Sequence, residues 1–252
     1  SERAVGGDGE CIDAGEMARV LKPCGGTILL GGPSGSGGAD VVRTLLPPDT
    51  FPGARVLGGG RWASFVRGAL PGAGDWTHAY ADAGNTAGGS DSALRAPLGL
   101  LWFGRPGPLE MISRHRRAAG PLLAKGVLLV QSENAVSGYD PYNGLRLWRR
   151  ELPKVFRELV SHDCSNLASD GSTFFVVHND ECLRIDPRDG KTLATLHMPD
   201  GVESRWGYVA SADGVLFGSA TAKGRTCDRI FAVDPSTGRL LWQHEGPGIP
   251  HP

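Results

Sequence analysis

Several short stretches gather side chains from which sites are built. His162-Asp163-Cys164-Ser165-Asn166 sets an imidazole, a carboxylate and a thiol in a row, the ingredients of nucleophilic catalysis or of a metal centre. Immediate neighbours seldom converge on one point, so the run reads first as loop capping or inner-strand structure, then as a ligand contact, and last as a catalytic group. Gly31-Gly32-Pro33-Ser34-Gly35-Ser36-Gly37-Gly38 has the glycines of a phosphate-cradling loop but no Lys-Ser/Thr ending, and reads as a linker or surface loop. Arg114-His115-Arg116-Arg117 is the one local basic cluster. It has no interleaved aromatics, which disfavours nucleic acid and favours a solvated loop or contact with an acidic partner. Five cysteines, at 11, 24, 164, 182 and 227, show neither metal spacing nor a paired framework, and the odd count points to reduced thiols. Asp140, Asp186 and Asp234 each precede a proline and read as turn residues before metal ligands. No residue is therefore assigned a catalytic, cofactor-binding or metal-ligating role, and no cofactor is expected.

The bulk composition is as neutral. The 252 residues carry 26 basic and 27 acidic side chains, so no overall field favours nucleic acid or a lipid surface. Gly at 38 and Pro at 18 favour short strands and many turns over long helices. No apolar run is long enough to span a bilayer as a helix. Ser1 to Gly9 lacks the basic segment and apolar core of a signal peptide, and residues 1–10 are expected to be disordered. A start without Met suggests that the chain begins inside a longer product.

What positions these groups is a repeat. Arg229-Ile230-Phe231-Ala232-Val233-Asp234-Pro235-Ser236-Thr237-Gly238-Arg239-Leu240-Leu241-Trp242 runs from an apolar alternation through an Asp-Pro turn closing on Gly to a second strand ending in Trp. Tyr139–Trp148 and Leu183–Leu193 repeat it, and the Asp-Pro steps at 140, 186 and 234 lie 46 and 48 residues apart. That is the length of one four-stranded propeller blade. Each unit opens with a glycine and an apolar strand (Gly126–Gln131, Thr173–Val177, Gly214–Gly218). Ala135–Tyr139, Cys182–Ile185 and Arg229–Val233 follow, and then Leu145–Arg149, Thr192–Leu196 and Arg239–His244. Gly144, Gly190 and Gly238 are expected at positive φ, and Trp148 and Trp242 as wedges between adjacent sheets. Leu193 and Ala194 stand near the wedge position in the second unit, which weakens it there. Trp206–Val209 reads as the innermost strand of the third unit, and Asn179-Asp180-Glu181 as a solvated hairpin turn.

The first quarter differs. Cys11–Leu21 reads as a short helix stopped by Lys22-Pro23, and Thr27–Leu30 as a short buried strand. Val41–Leu46 is a helix remnant or strand, and Arg61–Arg67 alternates like a strand. Pro71-Gly72-Ala73-Gly74 is the best boundary. Leu98–Gly104 reads as a short strand ending in Trp.

Two resemblances follow from these residues. Ala18-Arg19-Val20-Leu21-Lys22-Pro23-Cys24-Gly25-Gly26-Thr27-Ile28-Leu29-Leu30 resembles the late helix–strand segment of class I S-adenosylmethionine-dependent methyltransferases, with Cys24 departing from the pattern before the Gly pair. The cofactor loop of that family should lie upstream, where this sequence has no room for it. Asp75–Ala87, with Trp76, His78 and Asn85 as structural anchors, resembles the opening segment of the pyrroloquinoline-quinone-type propellers. Trp76-Thr77-His78, Leu101–Gly104 and Arg114–Arg116 together look like bacterial proteins in which a methyltransferase-like segment precedes a quinoprotein-type propeller. The fold expected is mainly β: a partial quinoprotein-like propeller of about three to four four-stranded blades at 75–252, after a small α/β segment, a methyltransferase-like remnant and linker, at 1–74. Under four blades do not close a ring, which implies a fragment or truncated product.

The resemblance also bears on function. Quinone-dependent dehydrogenases stack their cofactor on Trp beside calcium and an Asp, and active members carry adjacent cysteines; no Cys-Cys pair stands here. The expected role is a non-catalytic module that binds or scaffolds, its partners the remaining blades of a larger chain or another protein. The alternative is a quinone-dependent oxidoreductase or a methyltransferase fusion whose catalytic part is incomplete here. Propellers of this type are commonly found outside the cytoplasm, in the cell envelope or periplasm.

Overall fold

A computed structural model describes residues 13–31, 45–59, 61–104, 110, 112, 118–157, 165–199, 205–221 and 227–249. The chain divides into two compact units, 1–70 and 71–252.

In the first unit Asp13 caps α1 (Ala14–Val20) by accepting the Glu16 amide at 2.8 Å, satisfying one of the free amides at the helix start. Lys22-Pro23 ends the helix, and the turn leads into β1 (Thr27–Gly31). With β2 (Arg55–Leu57) and β3 (Trp62–Val66) it forms an antiparallel sheet in the order β1-β3-β2. The strand expected to be buried is covered on one side only. Ile28 and Leu30 join Leu46, Phe51, Ala63 and Phe65 in a small core, while Leu29 remains 60% exposed. A strand with one polar-facing side needs only that much cover. Most of Val41–Leu46, the glycine loop after Gly31, and residues 1–10 lie outside the described residues.

The second unit holds three four-stranded antiparallel sheets, each a meander built in chain order. Blade 1 is β4 (Leu122–Ala124), β5 (Val127–Gln131), β6 (Ala135–Tyr139) and β7 (Arg146–Glu151). Blade 2 is β8 (Leu167–Ser169), β9 (Phe174–His178), β10 (Glu181–Ile185) and β11 (Thr192–His197). Blade 3 is β12 (Arg205–Ala212), β13 (Val215–Thr221), β14 (Cys227–Val233) and β15 (Leu240–Ile249). The fold is mainly β, a partial quinoprotein-like propeller. The blades pack through two apolar clusters: Leu129, Val136 and Trp148 meet Phe174, Val176 and Ile185 between the first two, and Phe175, Val177 and Leu196 meet Trp206, Leu216 and Phe231 between the last two. Alternation explains the pairing, since Phe174 and Val176 face one neighbour while Phe175 and Val177 face the other.

The turn after each third strand is built one way. Asp140, Asp186 and Asp234 accept the amide two residues on, at 2.9, 2.9 and 2.7 Å. Their carbonyls take the amides of Gly144, Gly190 and Gly238, at φ of 72°, 73° and 73°. These are the turn aspartates read from the sequence. Over the turn sits a tryptophan from the preceding unit: Trp148 Nε1 donates to the Pro187 carbonyl at 2.7 Å, and Trp102 Nε1 to that of Pro141 at 2.7 Å. A Cβ added at Gly190 would stand 2.6 Å from the Trp148 ring, whereas one at Gly238 would meet only Leu196, at 3.5 Å. The weak wedge of the second unit is thus Leu196, with Leu193 left 52% exposed.

These two glycines separate backbone strain from ring collision. Gly238→Ala should cost about 1 kcal/mol, the left-handed penalty alone. Gly190→Ala should cost roughly 1–2 kcal/mol more, because the methyl also displaces Trp148. Urea titrations of the two variants give the difference directly, and equal losses would mean that the ring yields freely.

One expected strand is absent. Leu98–Gly104 pairs with no strand, and Leu98, Leu100, Leu101 and Phe103 are 71%, 83%, 69% and 94% exposed. Its composition suits a strand, but among the described residues no neighbour offers an edge. Only Trp102 is held.

Candidate functional site

The opening of the second unit crosses all three blades within three residues. Trp76 exchanges backbone hydrogen bonds with Leu123 of β4, at 2.8 and 2.7 Å. The Thr77 carbonyl accepts the Ser169 amide of β8 at 2.8 Å. His78 Nε2 accepts the Ser211 amide of β12 at 3.0 Å. Innermost strands of successive blades are thereby tied by one strap.

The bond from Ser211 fixes the state of His78. A nitrogen that accepts from an amide carries no proton, so the hydrogen is on Nδ1, which donates to Thr77 Oγ1 at 2.8 Å. That hydroxyl in turn donates a hydrogen bond to the Ala81 carbonyl, 3.3 Å away. The ring is 2% exposed, and burial lowers its pKa against the weaker opposing pull of Asp82. Trp76 and His78 are therefore anchors, as read from the sequence. Asn85 is not: it lies exposed in the turn capped by Asp82, at φ 54°.

Between blades the crossover is pinned by amides. Asn166 Nδ2 donates to the carbonyls of Val155 and Val177, at 2.8 and 3.1 Å, and its Oδ1 accepts from Gln131 Nε2 at 3.1 Å. Arg157 donates to the Gly207 carbonyl at 2.8 Å. Ser165 and Asn166 thus do the capping expected of that run, while His162, Asp163 and Cys164 lie outside the described residues, as does the Arg114–Arg117 cluster. Asn179 and Asp180 are exposed in the β9–β10 turn.

Chemistry-bearing clusters are few. Among the described residues no three His, Cys, Asp or Glu side chains converge as for a metal ion. Cys24, Cys182 and Cys227 are free thiols, and burial drives the Cys182 thiol far above its ordinary range, so it is no thiolate nucleophile. Cys11 and Cys164 lie outside the described residues. Asp186 is held down to about 2, first by its hydrogen bond from the Arg188 guanidinium, which marks a turn ion pair.

A well-formed concavity lies on blade 3, on the face turned away from blade 2. It holds about 350 Å³, lined by Tyr208, Ala210 and Ala212 of β12, Phe217 and Ser219 of β13, and Trp242 of β15, with Ala83 and the exposed Asn85 also lining it. The small side chains of Ala210 and Ala212 make the hollow, and Phe217 and Trp242 wall it with ring centroids 6.2 Å apart. No charged group lines it. Trp242, expected as a wedge, is 45% exposed here. The alternation in Tyr208–Ala212 is the sequence signal for this face, but only the strand pairing reveals that it is open.

A family profile described as the outer membrane protein assembly factor BamB matches residues 100–244, more than half of the 252 residues. The chain belongs to this family. The quinohemoprotein alcohol dehydrogenase of Pseudomonas putida is 16% identical over 69% of this chain and 27% of its own, with a TM-score of 0.49. BamB from Moraxella catarrhalis is 18% identical over 50% of this chain and 39% of its own, TM-score 0.37. A europium-containing methanol dehydrogenase is 19% identical over 50% and 24%, TM-score 0.39. The chain thus spans well under half the length of each. No curated protein matches. The BamB family profile begins after the methyltransferase-like stretch of residues 11–32, and none of these matches is a methyltransferase. No helix among the described residues is long and apolar enough to cross a membrane.

Proposed function

We propose that this chain is a non-catalytic propeller module that binds or scaffolds another polypeptide. The observation that carries the reading is the groove on blade 3, an uncharged aromatic-walled hollow that suits apolar side chains of a packed β element rather than a polar substrate. Its family description, an assembly factor, agrees with a protein-binding role. The alternative is an incomplete quinone-dependent oxidoreductase, for which propeller ancestry alone is no argument, because one fold carries many chemistries.

The same proposal divides the chain into residues 1–74, a methyltransferase-like remnant with its linker, and 75–252, the partial propeller. Isothermal titration decides between readings. Pyrroloquinoline quinone with Ca²⁺, and separately adenosylmethionine, should give no saturable heat at micromolar concentrations. Micromolar binding of the quinone would replace the scaffold by an oxidoreductase, and micromolar adenosylmethionine would make the first 74 residues a working cofactor domain.

A further inference from the structure

We propose that residues 78–87 form a flap over the innermost strand of blade 3, latched by His78 and released as a unit when acid protonates that ring. The first ground is that the loop is self-contained. At its base the Gly72 carbonyl accepts the amides of Ser92 and Ala93, at 2.8 and 3.2 Å, and the Gly74 amide donates to Asp91 at 3.2 Å. Above the base Asp82 accepts from the Gly84 and Thr86 amides, at 2.9 and 3.2 Å, and Ala87 donates to the Tyr80 carbonyl at 3.1 Å. These bonds hold Ala81, Asn85 and Ala87 at φ of 77°, 54° and 55°, a region that non-glycine residues keep only where their surroundings fix them. The loop is thus shaped by its own bonds and not by blade 3.

The second ground is the single latch. Trp76 and Thr77 are tied by backbone bonds to β4 and β8. Beyond them, among the described residues, the only hydrogen bond from this loop to a blade runs from the Ser211 amide to His78 Nε2. Gly88 and Gly89 form the other stem. Both are exposed, and a Cβ added at either would meet nothing closer than 3.9 Å. One stem is a fixed pivot, the other a glycine pair, and one bond closes the flap between them.

The third ground is the chemistry of that bond. Protonation turns Nε2 from an acceptor into a donor and sets two N–H groups against each other. The closed flap buries the ring to 2% exposure and binds the proton less readily than the open one, so opening gains as pH falls below about 6.5. Asp82, on the flap itself, pulls the other way and more weakly. Lys125, Asp170 and Asp213 follow β4, β8 and β12, the strands that the strap crosses, and none of them acts on the ring. Asp82 remains ionised there, its carboxyl held below its ordinary range first by the Thr86 hydroxyl, so the flap keeps its turn while it opens. Release withdraws Ala83 and Asn85 from the concavity of blade 3. The latch stands whether or not that concavity binds a partner.

Hydrogen exchange of the full chain between pH 7.5 and 5 tests the latch, each rate taken relative to an unstructured chain at the same pH. Protection at Ser211 should fall by up to roughly thirtyfold at pH 5, a factor of ten for each pH unit below 6.5. Trp76 and Leu123 at the pivot, and Val176 and Phe231 in the central strands, should keep theirs. His78→Gln offers an acceptor to the same amide but cannot titrate, and should abolish the fall. Loss of protection in parallel at Val176 and Phe231 overturns the proposal, since it marks acid unfolding of the blades. An unchanged fall in His78→Gln overturns it too. If that variant does not fold, the imidazole nitrogen resonances of the parent chain decide. Protonation of His78 with the same midpoint as the loss at Ser211 supports the latch, and protonation with Ser211 still protected overturns it.

Discussion

Trp148→Ala is expected to lower stability by about 3–5 kcal/mol, the cost of removing a large aromatic from a packed core. Trp148 is 9% exposed and belongs to the cluster that joins blades 1 and 2. Its loss empties the space over Gly138 and Gly190 and leaves the Pro187 carbonyl without its donor. For a chain of this size the melting temperature should fall by roughly 6–20 °C. Trp148→Phe keeps most of the apolar body but not the N–H, and should cost about 1–3 kcal/mol for the unpaired carbonyl and the smaller ring. Trp242→Ala is the comparison, since that ring is 45% exposed and should cost about 1 kcal/mol or less. Equal losses at 148 and 242 would show that the ring over the turn contributes nothing beyond its area.

His78→Ala should cost about 3–4 kcal/mol. The change opens a cavity at a buried ring and strands the Ser211 amide, a penalty of roughly 1–3 kcal/mol for the amide alone. The loss should be read in blade 3 as well as in the strap: hydrogen exchange at Ser211 should rise in the variant, although position 78 lies 133 residues away. The same geometry gives a pH dependence. Protonation would place an N–H on Nε2 against the Ser211 N–H, so the folded state binds the proton less readily than the unfolded state, whose imidazole titrates near its ordinary 6.5. The contribution of the strap is intact above about 6.5 and is lost as pH falls below that value toward the lowered folded pKa. Thermal melts between pH 7.5 and 5 should therefore slope downward in the parent chain and less so in His78→Ala. Parallel slopes would remove His78 from the acid response.

What the residues disclosed and what they hid divides along sequence distance. The Asp-Pro-x-x-Gly turns were readable because each is closed by its own neighbours: Asp186 caps Arg188, and Gly190 bonds Asp186. β5, β6 and their counterparts were readable from alternation. β4 and β8 were not, because Leu122–Ala124 and Leu167–Ser169 are three residues long and carry no period. Leu98–Gly104 has a strand's composition, yet pairing is a property of two segments and among the described residues no second one lies beside it. His78 could be singled out as an anchor, but nothing near it in sequence names Ser211. The groove was hidden for the same reason, since Ala210 and Ala212 make a hollow only once Phe217 and Trp242 are brought alongside.

The strap sets the order in which the second unit can be finished. Trp76, Thr77 and His78 leave the ribosome before any of the three blades they bridge, for their partners are Leu123, Ser169 and Ser211. At about 5–20 residues per second, synthesis of the 133 residues between His78 and Ser211 takes roughly 7–27 s. Through that interval the earliest-made segment of the unit waits with its buried imidazole site unmade. The first part to be synthesised is thus the last to be locked, and its final bond forms only when the innermost strand of blade 3 is in place.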